Sequence, residues 1–274
     1  MYKKYNRILI TDSGFTLIEL MVSIVLTMFI LSGITEIYLI TQRHMEYRSS
    51  LQRIQENAQV VISLLSAQIR MAGFVGCPKF TRRLPFRNHT SLDVTNENKL
   101  TLYNGTGGFI VWHADKLGAL LYSTMRNHSE IDIQSKLSFS SGDIVILSDC
   151  QKVEIVQIDK VVHLSEGKEK IITKTPLDKL YGKNSELIKL KRLAFFVDKT
   201  ERQSSAHVPR YALFMQDERG RKNELVEGVD QMKVQFDLDA ADNQIQGVSL
   251  EIILSTEQVK LRKKWYDYVA LREI

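Results

Sequence analysis

Gly14-Phe15-Thr16-Leu17-Ile18-Glu19 and the apolar run that follows decide how the rest of the chain is built. From Phe15 to Ile34 the residues are Phe, Leu, Ile, Val, Met, Ser, Thr and Gly, and Glu19 is the one charge among them. About 20 such residues rise roughly 30 Å as a helix, enough to cross the hydrocarbon core of a bilayer. A carboxylate near the start of such a span is costly in hydrocarbon, so Glu19 is expected to have a function.

The flanks narrow the kind of segment. Lys3, Lys4 and Arg7 outnumber Asp12 before the run, which holds the N-terminus on the cytoplasmic side and sends the rest outward. A secretory signal peptide would place small residues after its apolar stretch. Here those positions hold Leu31 and Gly33, a poor fit, and the small residue comes before the run at Gly14. An ordinary signal anchor with a chance glutamate is the plain alternative. Gly14 to Glu19 resembles, residue for residue, the leader junction of type IV prepilins. The resemblance implies that a prepilin peptidase cuts between Gly14 and Phe15 and methylates the new N-terminus of Phe15. It also implies an assembly role for Glu19, the fifth residue of the mature chain: its carboxylate would neutralise the N-terminal amine of a neighbouring subunit. Opposite charges attract strongly in a low-dielectric setting, and either one alone there is costly. The local alternative pairs Glu19 with its own N-terminus, one helical turn away.

Composition is that of an ordinary globular protein behind an anchor. The 274 residues are 44% hydrophobic and 25% charged, with a formal charge of +5. Residues 1–14 hold three of the bases and one acid, so the remainder carries about +3, which makes a weak case for nucleic acid. Two cysteines, Cys77 and Cys150, fall in the part expected outside the inner membrane, where an oxidising compartment favours a disulfide between them. It would close a loop of about 74 residues, worth about 4 kcal/mol in the chain-entropy account. Two buried thiols are the alternative.

The helix is expected to continue past the span. Leu51, Ile54, Ala58, Val61 and Leu65 step by three and four, with Ile62 and Ile69 widening the stripe and Arg53, Glu56, Gln59 and Arg70 on other faces. Gly73, Gly76 and Pro78 supply the stop. A helix from Phe15 to Met71 would be about 57 residues long, roughly 85 Å. The division expected is a cleaved leader over 1–14, a transmembrane and assembly helix over 15–40, its amphipathic half over 41–73 and a β-rich globular domain over 74–274. Major pilins often carry a proline where this chain has Glu36, so the kink it would give is not expected there, although Ser32-Gly33 could bend the helix.

Beyond Pro78, residues 79–98 read as loop, and short β-like runs follow between turn signals. The runs are Leu100–Tyr103, Phe109–Trp112, Asp143–Leu147, Val153–Ile158, Ile171–Lys174, Leu187–Val197, Val208–Met215, Leu225–Leu238, Val248–Leu254 and Tyr268–Arg272. Their spacing predicts an antiparallel sheet or sandwich, and with the long helix an α+β fold. Arg70–Phe74 with Gly76-Cys77, Gly142–Leu147 before Cys150, and Leu225–Val229 with Met232–Val234 resemble PilW-type minor pilins.

Motifs of catalysis are missing: no Walker loop, zinc-binding His-Glu pair or nucleophile elbow. Trp112-His113-Ala114-Asp115 reads as a strand end and turn, and Asn104–Gly108 as a hairpin turn. Asp237, Asp239, Asp242 and Asn243 lack EF-hand spacing and read as a solvated loop. Lys260–Tyr266, a basic run ending in aromatics, reads as a solvated turn; DNA contact through it is the lesser reading.

The function implied is a minor pilin that primes a type IV pilus and enters it at or near its tip. Its partners would be other minor and major pilins, a tip adhesin-like protein, the prepilin peptidase and the inner membrane. No cofactor, metal or catalytic residue is expected, and no enzyme activity. A minor pseudopilin of type II secretion is the alternative, followed by a membrane-anchored periplasmic enzyme or a DNA-uptake factor.

Overall fold

The computed structural model describes residues 16–76, 85–95, 98–105, 107–149, 151–164, 167–203, 209–240, 244–256 and 261–271. Its one long helix, α1, spans Leu17–Arg70 without interruption through Ser32-Gly33. Thirteen strands follow among the described residues. The chain divides into two compact units between Leu51 and Gln52.

In the first unit the side chains of residues 16–49 are exposed, apart from the half-covered Gly33. Leu17, Met28, Phe29 and Ile37 are each at least 66% exposed, so none of the described residues buries the apolar run. That surface is far larger than a soluble monomer leaves in water.

In the second unit the expected stripe is the spine of the core. Ile54, Ala58, Val61, Leu65, Ile69 and Ala72 are all at most 5% exposed, at steps of three and four. They form one apolar cluster with residues of two separate sheets. The first sheet contributes β2 (Leu100–Leu102), the start of β3 (Gly108–Leu121), the middle of β8 (Glu186–Gln203), β9 (Pro209–Gln216) and β10 (Lys222–Glu227). The second is three-stranded, in the order β11 (Val229–Leu238), β12 (Ile245–Thr256), β13 (Leu261–Ala270).

The chain passes between these sheets at Gly228. Its φ is +83°, and a Cβ there would lie 2.9 Å from the Ser255 carbonyl oxygen, so only glycine fits this crossing. The run Leu225–Leu238 is therefore two strands in two sheets, not one.

The far ends of β3 and β8 serve a different body. Past a bulge between Ala114 and Gly118, β3 pairs β8 on one side and, through Leu120 and Leu121, β4 (Glu130–Gln134) on the other. β4 pairs β7 (Lys168–Thr173), β7 pairs β6 (Val153–His163), β6 pairs β5 (Ile144–Ser148), and β5 pairs β8. All six pairings are antiparallel, so the ring β3-β4-β7-β6-β5-β8 closes into a small barrel without a free edge. Alternation sends Val145, Leu147, Val156, Ile158, Ile131, Ile133, Ile171 and Leu187 to its interior. The opposite faces of β5, β6 and β8 are covered by a segment carrying Phe86, Leu92 and Val94, with Trp112 donating to the Thr95 carbonyl at 3.1 Å. That segment contains β1 (Phe86–Asn88), parallel to β6, where the sequence pattern had suggested only loop.

Other elements also differ from the sequence reading, among them β4, which none of the expected runs covers. β3 runs straight through Trp112–Asp115. β13 begins at Leu261 and takes in Leu261–Tyr266 of the basic aromatic run, which reads in the sequence as a solvated turn; Lys260 lies outside the described residues. The strand tolerates its lysines because only one of its faces is covered.

Leu65 is fully buried against both sheets, and Val60, on the opposite side of α1, is 50% exposed. Leu65→Ala should cost about 2–5 kcal/mol, whereas Val60→Ala should shift stability by about 0.5 kcal/mol or less. Thermal melts of the full chain in detergent check both.

Candidate functional site

The start of α1 is built by two side chains. Thr16 precedes the first helical residue. Its hydroxyl oxygen accepts from the Glu19 N–H at 3.4 Å. Glu19 reaches back, and its Oε2 accepts from the Thr16 N–H at 3.3 Å and the Thr16 hydroxyl at 3.1 Å. This reciprocal capping box satisfies donors that a helix start leaves open, and it places a negative charge at the positive end of the helix dipole. The Thr-x-x-Glu spacing that signals it is plain in the sequence, but the sequence reading gave Glu19 only its charge. Glu19 Oε1 has no partner among the described residues. Gly14 and Phe15, the expected cleavage and methylation positions, lie outside the described residues.

Five further serine and threonine hydroxyls along this part of α1 are turned back onto the helix's own backbone. Ser23 donates to the Glu19 carbonyl, Thr27 to Ser23, Thr35 to Leu31 and Thr41 to Ile37, at 2.7–2.8 Å, and Ser32 donates to Phe29 at 3.0 Å. A hydroxyl bonded to its own helix offers little unmet polarity to an apolar surrounding. The side chains of Leu20, Ser23, Ile24, Thr27, Met28 and Leu31 line a shallow groove along this face, wide enough to take side chains of another helix.

Cys77 and Cys150, the expected disulfide partners, also lie outside the described residues. The chain next to each arrives at one place. A Cβ on Gly76 would lie 2.8 Å from Glu186 Oε2, and Ser148 is paired with Glu186 across the β5–β8 ladder.

His113 and Asp115 do not act together. His113 is buried, with its ring nitrogens 2.7 Å from the Ala114 carbonyl and 2.9 Å from Gln68 Oε1, so it fastens β3 to α1. Burial pushes its pKa down. Asp115 faces Lys191 at 2.8 Å. Asn104-Gly105, both at positive φ, make the β2–β3 turn. Asp237 accepts from the Tyr268 hydroxyl at 2.9 Å; Asp242 and Asn243 lie outside the described residues.

A buried polar cluster at one end of the barrel has no sign in the sequence. Glu154 of β6 is fully buried. Its Oε2 lies 2.8 Å from His89 Nε2 and accepts from the Asp178 N–H at 2.8 Å. Its Oε1 accepts from the Tyr181 hydroxyl at 3.2 Å and faces Lys152 Nζ at 3.1 Å. Lys152 also bridges to Asp178 Oδ2 at 3.0 Å, which Arg87 Nε meets at 3.2 Å. His89, Glu154 and Asp178 offer ligand atoms within 4.8 Å of one another. The Lys152 and Arg87 charges already balance the two carboxylates, so a divalent ion would add an uncompensated double charge. The cluster therefore reads as a lock that ties the segment after β1 and the segment before β8 to β6. Burial raises the Glu154 pKa, but the Asp178 N–H, His89 and Lys152 outweigh it and hold the carboxyl below its usual range. Burial and the Glu154 charge push the Tyr181 hydroxyl the other way.

A carboxyl with a depressed folded pKa contributes stability above its unfolded value, near 4.3, and loses it as pH falls through the folded value. Glu154→Gln leaves Lys152 short of its counter-charge and should cost about 3 kcal/mol at neutral pH. It should also flatten the loss of stability below about pH 4.3. Denaturant melts across pH 3–7 on both chains measure it.

Residues 11–35 match the family described as the prokaryotic N-terminal methylation motif. No curated protein and no solved structure matches the chain. The matched stretch holds Gly14, Phe15, the Thr16–Glu19 capping box and most of the exposed apolar run, and α1 is long and apolar enough to cross a membrane. The motif is that of type IV pilin-like proteins and pseudopilins, and α1 could anchor such a chain in a membrane.

Proposed function

We propose that this chain is a minor pilin of the PilW type that primes a type IV pilus and enters it at or near the tip. The observation that carries the reading is the contrast along α1. Residues 16–49 expose their apolar side chains, while the stripe from Ile54 onward is buried by the chain's own sheets. The first part can be buried only by lipid or by other chains, and a pilin uses both in turn. In the membrane the leader charges hold the N-terminus inside, and the β-rich part lies in the periplasm. In the filament, helices of other minor and major pilins replace the lipid.

Glu19 sets the register of that exchange. One carboxylate oxygen holds the capping box and the other has no partner among the described residues, so the group can bind a neighbouring chain's terminal amine without uncapping its own helix. In a dry filament core, a carboxylate and an amine a few ångströms apart stabilise one axial position and penalise its neighbours. The Cys77–Cys150 bond, contacts with an adhesin-like tip protein and processing by the prepilin peptidase belong to the same proposal. No nucleic acid and no catalytic step enters it.

Glu19→Ala should leave the chain in the membrane, with the melting temperature of its β-rich part unchanged, and should lower surface pili at least tenfold. Glu19→Gln keeps the capping oxygen but not the charge, and should fall near the alanine variant. Pili counted by electron microscopy, with secreted type II substrates assayed alongside, give the answer. Normal piliation with lost secretion would instead make the chain a pseudopilin.

A further inference from the structure

The three-stranded sheet ends on β13, which pairs only with β12 among the described residues. At ten residues it is long for an edge strand, and unpaired edges of this length template further pairing. Register fixes which backbone groups are open. The Leu271 N–H donates to the Gln246 carbonyl, and the ladder runs on from Gly247–Ala270 to Thr256–Leu261. By antiparallel alternation, Leu261, Lys263, Trp265, Asp267 and Val269 direct their N–H and C=O groups at β12. Arg262, Lys264, Tyr266, Tyr268 and Ala270 direct theirs at the other edge, where no strand lies among the described residues.

The side chains along this edge are polarised. Arg262, Lys263 and Lys264 make three consecutive bases at one end and are all exposed; Arg262 reaches Asp230 at 3.5 Å and Lys264 reaches Glu251 at 2.9 Å across the sheet. The first acid on the strand, Asp267, is turned the other way and accepts from the Ser66 hydroxyl of α1 at 2.9 Å. At the other end Tyr268 is laid across the sheet: its hydroxyl meets Asp237, and a Cβ on Gly247 would lie 2.2 Å from it. Tyr266 is 69% exposed and stands at the rim, with Lys264 Nζ 5.4 Å from its ring centroid.

We propose that β13 accepts an extended, acid-bearing segment of another protein chain as a fourth strand of this sheet. Main-chain bonds to the outward groups of Lys264, Tyr266 and Tyr268 hold the segment. Carboxylates that face Lys263, and that exchange with Asp230 and Glu251 for Arg262 and Lys264, set its direction, and Tyr266 covers one of its side chains. A second copy of this chain does not fit the edge. Parallel self-pairing in register stacks three bases on three bases. Antiparallel self-pairing turns the second copy end for end. In register, the bases of each copy would then face Tyr268, Val269 and Ala270 of the other, with no carboxylate to meet them. The inference does not depend on which machine the chain serves.

The test is a photo-crosslinking residue placed at 262, 264, 266 or 268 of the full chain in its native cell, with the linked residue of the partner found by mass spectrometry. The expected result is that adducts from 264, 266 and 268 fall in one acid-bearing segment of one partner, at steps of two residues. Tyr266→Pro removes an outward N–H and leaves the β12 ladder whole, and should cut the adduct yield from 264 at least tenfold without moving the melting temperature by more than a few degrees. Lys264→Glu should lower it as well. Adducts scattered over several proteins, adducts to a second copy of the chain or to lipid, or no adducts at all would overturn the proposal; in the last case the lysines only keep the edge closed.

Discussion

One helix has to satisfy two solvents, and the rest of the structure depends on that constraint. From Leu17 to Ser49 its apolar side chains face outward; from Ser50 its periodicity turns a stripe inward. Burying the stripe requires surface on two sides, which the β2-β3-β8-β9-β10 sheet and the β11-β12-β13 sheet supply. The outward half requires a partner that the described residues do not supply. Stability and assembly are thus divided along one element, and a change in one half acts on one property without the other.

The barrel is a second design in the same chain. β3 and β8 are long enough to belong to both bodies: one end packs on α1 and the other closes the ring. A closed ring has no free edge, so the barrel leaves pairing capacity elsewhere, most visibly on β13. The Glu154 network seals one end with charges that cancel internally. Such networks fix the arrangement of loops more than they add stability.

How much of this was legible in the sequence follows from the distances involved. The helix, its stripe and its stop were readable because they rest on contacts three and four residues apart. Glu19 was readable as a lone charge, and the box it forms with Thr16 was there to be read at the same spacing. The barrel was not readable. Its closure rests on Leu120–Gln134 and Gly118–Ile188 pairings, and alternation states which side chains share a face but not which strands are neighbours. Glu154 was hidden for the same reason, since its partners stand at positions 89, 152, 178 and 181. β13 was misread because consecutive lysines resemble a solvated turn until the strand beside them is known.

The central claim is that the chain is processed as a prepilin, and the most direct measurement is the intact mass and N-terminal sequence of the protein extracted from membranes. The account predicts a chain that begins at a methylated Phe15, with residues 1–14 gone. A chain that retains Met1–Gly14 would contradict it and leave an anchored domain whose Glu19 does no more than cap its own helix.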